Sequence, residues 1–510
     1  MPQSSAIHME GKKIPNQVVW FFSVLCAVSF VTVFFSPWRA AAILIGTLSL
    51  FFVLRSSEYI IYGLVLYIPF EPFLLKFVSD EVYVYARYFP EILIYLLFLV
   101  LITKTLAKKI PMRVQYITML FFLFICVAIL SAIVNHTPIL VASLGIRQYI
   151  RFILIACIIV MLRPSKVFMK NVCICILALA MVEGSIGIIQ AAVGYPMDTL
   201  LLPEQRKLFG DIQLTGGTTQ FWESGQRIFA TMGRYDQLGT FLSLALLLLT
   251  AFLFEYKRNR FLMYGAGVGT ICISALVLTY SRAAWFGFFL GAIIIGIFLK
   301  RDRRMIVGVG IVSFVIAGYL FYSGIVVKHL TDIPSQTISQ RFFEAFSLER
   351  WRGEYYDLGR MFFLIHTPPA IFAVSPLIGV GPGTYGGGTA AALHYTESYE
   401  RLGLPFGIKG REGYIDNNWF SLLGEIGTIG LFLYLSMIGA SLYASWYVWQ
   451  HASDQLIRSV SLAYIGIAIA FIFQAFLATY LEMRTLASYV WLFAGIMLSE
   501  YSQMKEKKIL

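Results

Sequence analysis

Charge is scarce in this sequence. Asp, Glu, Lys and Arg make up 13% of its 510 residues, against 58% apolar and aromatic types, and the mean hydropathy is +0.75. So little polar surface cannot cover a soluble globule of this length, which leaves a polytopic membrane protein. Cysteine is sparse as well: Cys26, Cys126, Cys157, Cys173, Cys175 and Cys272 all lie inside apolar runs and none in a loop. Neither a disulfide framework nor a thiolate metal site is therefore expected, and the cysteines read as small packing residues. No small-residue cleavage site accompanies the first apolar run, 18–35, which follows Lys12 and Lys13; it reads as a retained helix rather than a signal peptide. The net charge of +12 does not imply a nucleic-acid partner, because the basic residues gather at the ends of apolar runs instead of forming a patch. A clear internal repeat is also missing, which argues against a solute transporter.

What is present is a series of apolar runs. At about twenty residues per crossing, the sequence predicts an all-α polytopic integral membrane protein of about 14 transmembrane helices. They fall near 18–35, 39–54, 58–76, 89–104, 114–134, 142–162, 171–193, 237–255, 261–280, 283–299, 305–323, 418–447, 459–479 and 485–500. With Met1 placed in the cytoplasm, the short loops on that side hold Lys104, Lys108, Lys109 and Arg113, then Arg163, Lys166 and Lys170. Lys257, Arg258 and Arg260 follow, then Lys300, Arg301, Arg303 and Arg304, and the tail adds Lys505, Lys507 and Lys508. This asymmetry predicts that both termini are cytoplasmic. The chain then divides into transmembrane helices over 1–323 with an outer loop at about 194–236, one large extracytoplasmic loop over 324–416, and the last three helices over 417–510.

The same orientation leaves Arg147, Arg151, Arg227, Arg234 and Arg282 on the outer face, at the entrances of the sixth, eighth and tenth spans. One arginine at a helix end is commonly an interfacial anchor. Several entering on one face suggest a cationic pocket, and planar guanidinium groups suit a phosphate or diphosphate. In the large loop, ISQRFFEAFSLERWRGEYYDLGRMFFLI (338–365) spaces its apolar residues for one or two amphipathic helices, with Arg341 and Arg360 on them. The glycine-dense SPLIGVGPGTYGGG (375–388) lacks the lysine and hydroxyl of a phosphate-binding loop and matches no dinucleotide fingerprint. It reads as a tight turn back towards the membrane, with anion binding by its amides as the alternative. Asp416 stands just before Asn417, Asn418 and the twelfth span. It is either the N-cap of that helix or a carboxylate placed to take a proton from a sugar hydroxyl.

Four stretches in order carry a family resemblance: RIFATMGRYDQLGTFLSLALLL (227–248), LTYSRAAWFGFFLGAIIIG (278–296), PLIGVGPGTY (376–385) and IDNNWFSLLGEIGTIGLFLYL (415–435). They resemble the arginine-containing helix entrances, late glycine turn and following helix of the O-antigen ligase and O-antigen polymerase superfamily. The resemblance implies a glycosyltransferase in the cytoplasmic (inner) membrane of a bacterium, joining undecaprenyl-diphosphate-linked repeat units into O-antigen or exopolysaccharide with no bound metal or other cofactor. It implies Arg227 and Arg282 as diphosphate ligands and Arg360 as a further one, while the outer-face position of Arg147 and Arg151 and the place of Asn417 beside Asp416 make them substrate-binding candidates. Asp416 and Arg282 are the expected catalytic residues. The family's ligases place a histidine where this chain has Asp416, a departure that favours polymerisation over ligation to a lipid or protein acceptor. His394 is the alternative histidine, and Glu425 resembles the family's glutamate. Membrane lipid, a repeat-unit flippase and a chain-length regulator are the implied partners.

Overall fold

The computed structural model describes residues 37–55, 57–107, 116–203, 227–256, 259–323, 337–346 and 348–509. Among them no strand occurs, and the helices in chain order begin with α1 (Pro37–Arg55), α2 (Ser57–Leu75), α3 (Asp80–Leu106), α4 (Tyr116–Val134), α5 (Ile139–Leu162), α6 (Lys166–Val193) and the short α7 (Tyr195–Leu201). Then come α8 (Tyr235–Glu255), α9 (Asn259–Leu278), α10 (Arg282–Ile293, continued as a π-helical turn over Ile294–Leu299) and α11 (Arg303–Ser323). The large loop holds α12 (Ile338–Glu344), α13 (Leu348–Tyr356), α14 (Arg360–Val374), α15 (Gly388–Ala392) and α16 (Glu397–Leu402). The chain finishes with α17 (Asn418–His451), α18 (Gln455–Gln474) and α19 (Arg484–Ile509).

Each expected span from the second to the fourteenth has a helix in its place, while the first, 18–35, lies outside the described residues. Among those described, nine helices are long and apolar enough to cross a membrane. Several boundaries differ from the sequence expectation, among them the last helix, which runs on to Ile509, and two that bear on the site. The fourth span begins at Asp80, because DEVYVYARYF joins the helix and carries Arg87 and Glu91 with it. The thirteenth ends at Gln474 instead of 479, because Asn418 stops it: the Asn418 amide donates to the Ala475 carbonyl at 2.9 Å, and Leu481 N–H donates to Asn418 Oδ1 at 2.7 Å. The loop helices also differ: three, α12 to α14, stand where one or two were expected.

Helices apolar on all sides take the middle of the bundle. In α8 every residue from Leu238 to Leu249 is buried, as is α19 from Thr485 to Glu500. α4 leaves Phe122, Leu123, Ile129, Leu130 and Ile133 exposed, and α11 leaves Phe314 and Val315, an apolar surface suited to lipid. Ion pairs sort the helix ends onto two faces. Arg163 at the end of α5 meets Glu506 at the end of α19, Lys166 at the start of α6 meets Asp454 before α18, and Lys300 after α10 meets Glu255 at the end of α8. The starts of α5, α8, α10, α17 and α19 therefore share the opposite face with the large loop.

The glycine-dense turn does more than reverse the chain. α17 breaks at Gly427, whose φ of 71° is left-handed, so the carbonyls of Gly424 and Glu425 lose their helical partners. Val380 and Gly381 supply the missing donors at 2.8 and 3.0 Å, while Thr428 and Ile429 N–H groups donate to the carbonyls of Pro376 and Leu377. The turn thus completes the hydrogen bonding of an interrupted helix, which an apolar setting requires. Gly379, Gly381, Gly383 and Gly386 all have positive φ here. A Cβ at Gly427 would collide with the Leu377 backbone, whereas one at Gly439 of the same helix meets nothing within 4 Å. Gly427→Ala is expected to lower stability by about 1–3 kcal/mol from backbone strain alone, with Gly439→Ala neutral or stabilising. Thermal unfolding of the two variants in detergent checks this; equal curves would contradict the docking.

Candidate active site

Five arginines converge where α10, α12, α13 and α14 begin or pass. Glu344 of α12 is shared by Arg282 at 3.3 Å, Arg341 at 3.1 Å and Arg350. Glu354 pairs with Arg350 at 2.7 Å, and Asp416 takes Arg360 through Nη2 at 2.9 Å and Nε at 3.2 Å. Arg227 lies over the Tyr235 ring at 4.5 Å and within electrostatic reach of Arg341. The cluster therefore sets five guanidinium groups against the carboxylates Glu344, Glu354 and Asp416. Burial and the nearby Arg227 push the Arg341 guanidinium down to about 10, the effect of like charges crowded out of water. Arg282 Nη1 is buried at ion-pair distance from Glu344 and makes no hydrogen bond among the described residues. An anion entering this cluster would relieve the repulsion and fill that donor.

Arg227, Arg282 and Arg360 are thus brought together, with Asp416 beside them. Asp416 is not the N-cap of α17. That place belongs to Asn417, whose Oδ1 accepts from Phe420 N–H at 3.1 Å, while Asp416 sits one residue earlier at a left-handed φ of 49°. The cap leaves Asn417 3% exposed, with its oxygen committed to the helix. His394 packs edge-on against Phe406, 4.5 Å between ring centroids, in the loop's own small core with Tyr385 and Tyr399. Glu425 is fully buried and accepts from Gln148 and from Tyr385 N–H, tying α17 to α5 and the glycine turn.

Arg147 and Arg151 go elsewhere. They face a cavity of about 310 Å³ on the same side of the bundle, also lined by Arg87, Arg234, Glu482 and Arg484. Glu91 is the common counter-ion: Arg147 grips it at 2.7 and 2.8 Å, and Arg151 and Arg484 each reach it at 2.8 Å. Arg484 also pairs with Glu71. One carboxylate holding three guanidinium groups leaves positive charge to spare. Glu482 is bound differently, by Gly388 N–H at 2.9 Å and Asn418 Nδ2 at 3.1 Å. Burial pushes its carboxyl up to about 7 against the lowering effect of those donors and of Arg151. Because folding raises this pKa from 4.5, the folded state holds the proton longer, and stability is expected to fall as pH rises from about 4.5 to about 7. Glu482→Gln should flatten that dependence in thermal unfolding measured across the same window.

The two groups of charges meet. Arg234 pairs with Asp236 at 2.8 Å and lies within electrostatic range of Tyr414, which in turn feels Glu482 and Asp416. Tyr480 feels both Arg234 and Arg360. Residues 267–435 match the family profile described as O-Antigen ligase. That segment is similar to O-antigen ligases. It supports a place for the chain in the O-antigen ligase and polymerase superfamily, and with it a membrane glycosyltransferase type of activity on a lipid-linked glycan. No curated protein matches the chain. The matched segment contains Arg282, Arg341, Arg350, Arg360, Asp416, the glycine turn and the break at Gly427, while Arg227, Arg147, Arg151, Glu482 and Arg484 come from outside it.

Sequence reading missed Arg484, which opens the last span on the same face as the other arginines and satisfies the same positional criterion. It missed Glu482 two residues earlier because the thirteenth span was expected to run to 479, leaving almost no loop to inspect. Glu91 gave no local signal beyond its place four residues after Arg87.

Proposed function

We propose that this chain polymerises a cell-surface polysaccharide, joining undecaprenyl-diphosphate-linked repeat units at the outer face of a bacterial cytoplasmic membrane. The observation that carries the reading is the cluster of Arg227, Arg282, Arg341, Arg350 and Arg360, positively charged beyond its three carboxylates. The basic ends of the opposite face, Arg163, Lys166 and Lys300, support the orientation by the positive-inside rule. In this reading the acceptor hydroxyl attacks the anomeric carbon of the donor glycan. The bond from that carbon to the diphosphate breaks, and its electron pair leaves with the diphosphate. Arginines fixed in a site of low dielectric stabilise that charge without reorganising, commonly the largest catalytic effect of this kind. Asp416 serves the site through Arg360, which it holds in two hydrogen bonds.

The test is product formation by the purified chain in liposomes carrying lipid-linked repeat units from cells that lack it. A ladder of lipid-linked products is expected. Label appearing only on an added lipid core or protein hydroxyl would replace polymerisation by ligation. Translocation of the lipid with no glycosidic bond formed would overturn the reading altogether.

A further inference from the structure

The carboxylates around the cavity and the arginine cluster divide into two kinds. Glu71, Glu91, Asp236, Glu344, Glu354 and Asp416 are each ion-paired with at least one arginine. Glu482 has no ion pair among the described residues. Its Oε2 accepts from the Gly388 amide and its Oε1 from the Asn418 side chain, while Arg151 donates to the Glu482 backbone carbonyl at 2.9 Å instead. A carboxylate locked to arginine is a poor proton acceptor, because the pairing stabilises its charged form. One held only by neutral donors loses less of its basicity.

We propose that Glu482 is the general base of the transfer, taking the proton of the acceptor hydroxyl in the cavity it lines beside the donor arginines. This rests on the glycosyl-transfer reading above. The acceptor oxygen forms its bond to the anomeric carbon as its proton passes to a Glu482 oxygen. The carbon–oxygen bond to the diphosphate breaks with its electron pair going to the leaving group, and the proton later passes from Glu482 to water.

Three features of the fold serve this placement. The end of the glycine run clears the carboxylate: a Cβ at Gly387 would lie 3.0 Å from Glu482 Oε1, and one at Gly388 2.9 Å from Oε2. Asn418 orients the same carboxylate while its Oδ1 fixes the turn that carries it, through Leu481 N–H at 2.7 Å. Tyr414, held beside Gly386 by a backbone bridge, stands within electrostatic reach of Glu482, Arg234 and Asp416 and so joins the cavity to the donor cluster. The charged and titratable groups facing Glu482 are Arg151 and Tyr149 of α5, Glu425 and Tyr434 of α17, and Tyr414 of the loop. Burial places the Glu482 carboxyl at about 7, where a base combines availability with proton affinity near neutral pH.

The experiment measures the initial rate of product formation against pH for the full-length chain in liposomes, with lipid-linked glycan extracted from cells lacking it. Wild-type rate is expected to climb as pH passes through about 7 and then level, since the deprotonated form is active. Glu482→Gln should lose about 10²–10⁴-fold and its rising limb, with donor binding retained, and Glu482→Asp should recover part of the rate with the limb restored. A Glu482→Gln variant within threefold of wild type and with the same pH profile would overturn the assignment, most directly if Asp416→Asn had lost the rising limb instead. A large loss in Glu482→Gln with the rising limb intact would also overturn it, reducing Glu482 to a structural part. Wild-type protein that forms no glycosidic bond would remove the glycosyl-transfer reading and this assignment with it, a result distinct from an active wild type with an unaffected variant.

Discussion

Arg282→Ala is expected to lower turnover on lipid-linked repeat units by about 10²–10³-fold, the usual loss when one preorganised donor to a developing negative charge is removed. Arg282 opens α10 within the cluster, and its Nη1 is a buried donor without a hydrogen-bond partner among the described residues. The fold should survive, because Glu344 keeps Arg341 and Arg350. Charge builds on the leaving diphosphate in the transition state, so the loss should fall on kcat more than on KM. Arg282→Lys should recover only part of the rate, since a lysine carries the charge but not the planar fork. Asp416→Asn should cost less than Arg282→Ala, because it loosens Arg360 while leaving the other four guanidinium groups in place. Steady-state kinetics of the three variants check the ranking; wild-type turnover in Arg282→Ala would remove Arg282 from the reaction.

Glu91→Ala is expected to give the largest stability loss in the molecule, about 3–5 kcal/mol, the typical cost of stripping the partner from buried charges. The change leaves Arg147, Arg151 and Arg484 facing one another with Glu71 as the remaining carboxylate paired with any of them among the described residues. Glu91 of α3 joins Arg147 and Arg151 of α5 to Arg484 of α19, so the loss should fall on the packing of all three helices. Glu91→Gln keeps the acceptor oxygen and loses the charge, and should fall between. Thermal unfolding in detergent or nanodiscs provides the measurement, and an unfolding temperature equal to wild type would show that the three arginines do not depend on Glu91.

Much of the architecture was open to sequence reasoning, because hydropathy is summed over a local window and needs no knowledge of neighbours. The apolar runs among the described residues are helices, with ends displaced where a contact from far along the chain intervened, as Asn418 does at Ala475 and Leu481. The arginines at helix starts were legible for the same reason, since a charge at the edge of an apolar run stands out. Their grouping was not. Arg147 and Arg151 read like Arg227 and Arg282 but gather instead on Glu91, in company with Arg484, which lies 393 residues from that carboxylate. Asp416 read as a cap or a base; it is not the cap, because Asn417, one residue on, satisfies the open amides of α17, and it pairs with Arg360.

The sequence by itself determined that this protein spans a membrane many times, that basic residues favour one set of loops, and that one long polar interval has arginines on its early side and a glycine-dense turn on its late side. These follow from transfer free energies that each segment carries alone. Tertiary structure decided which carboxylate each arginine meets, that the glycine turn completes α17 at Gly427, and that Glu482 stands in the cavity with no ion pair among the described residues. Pairing of charges and filling of a broken helix depend on which elements lie side by side, and only packing sets that.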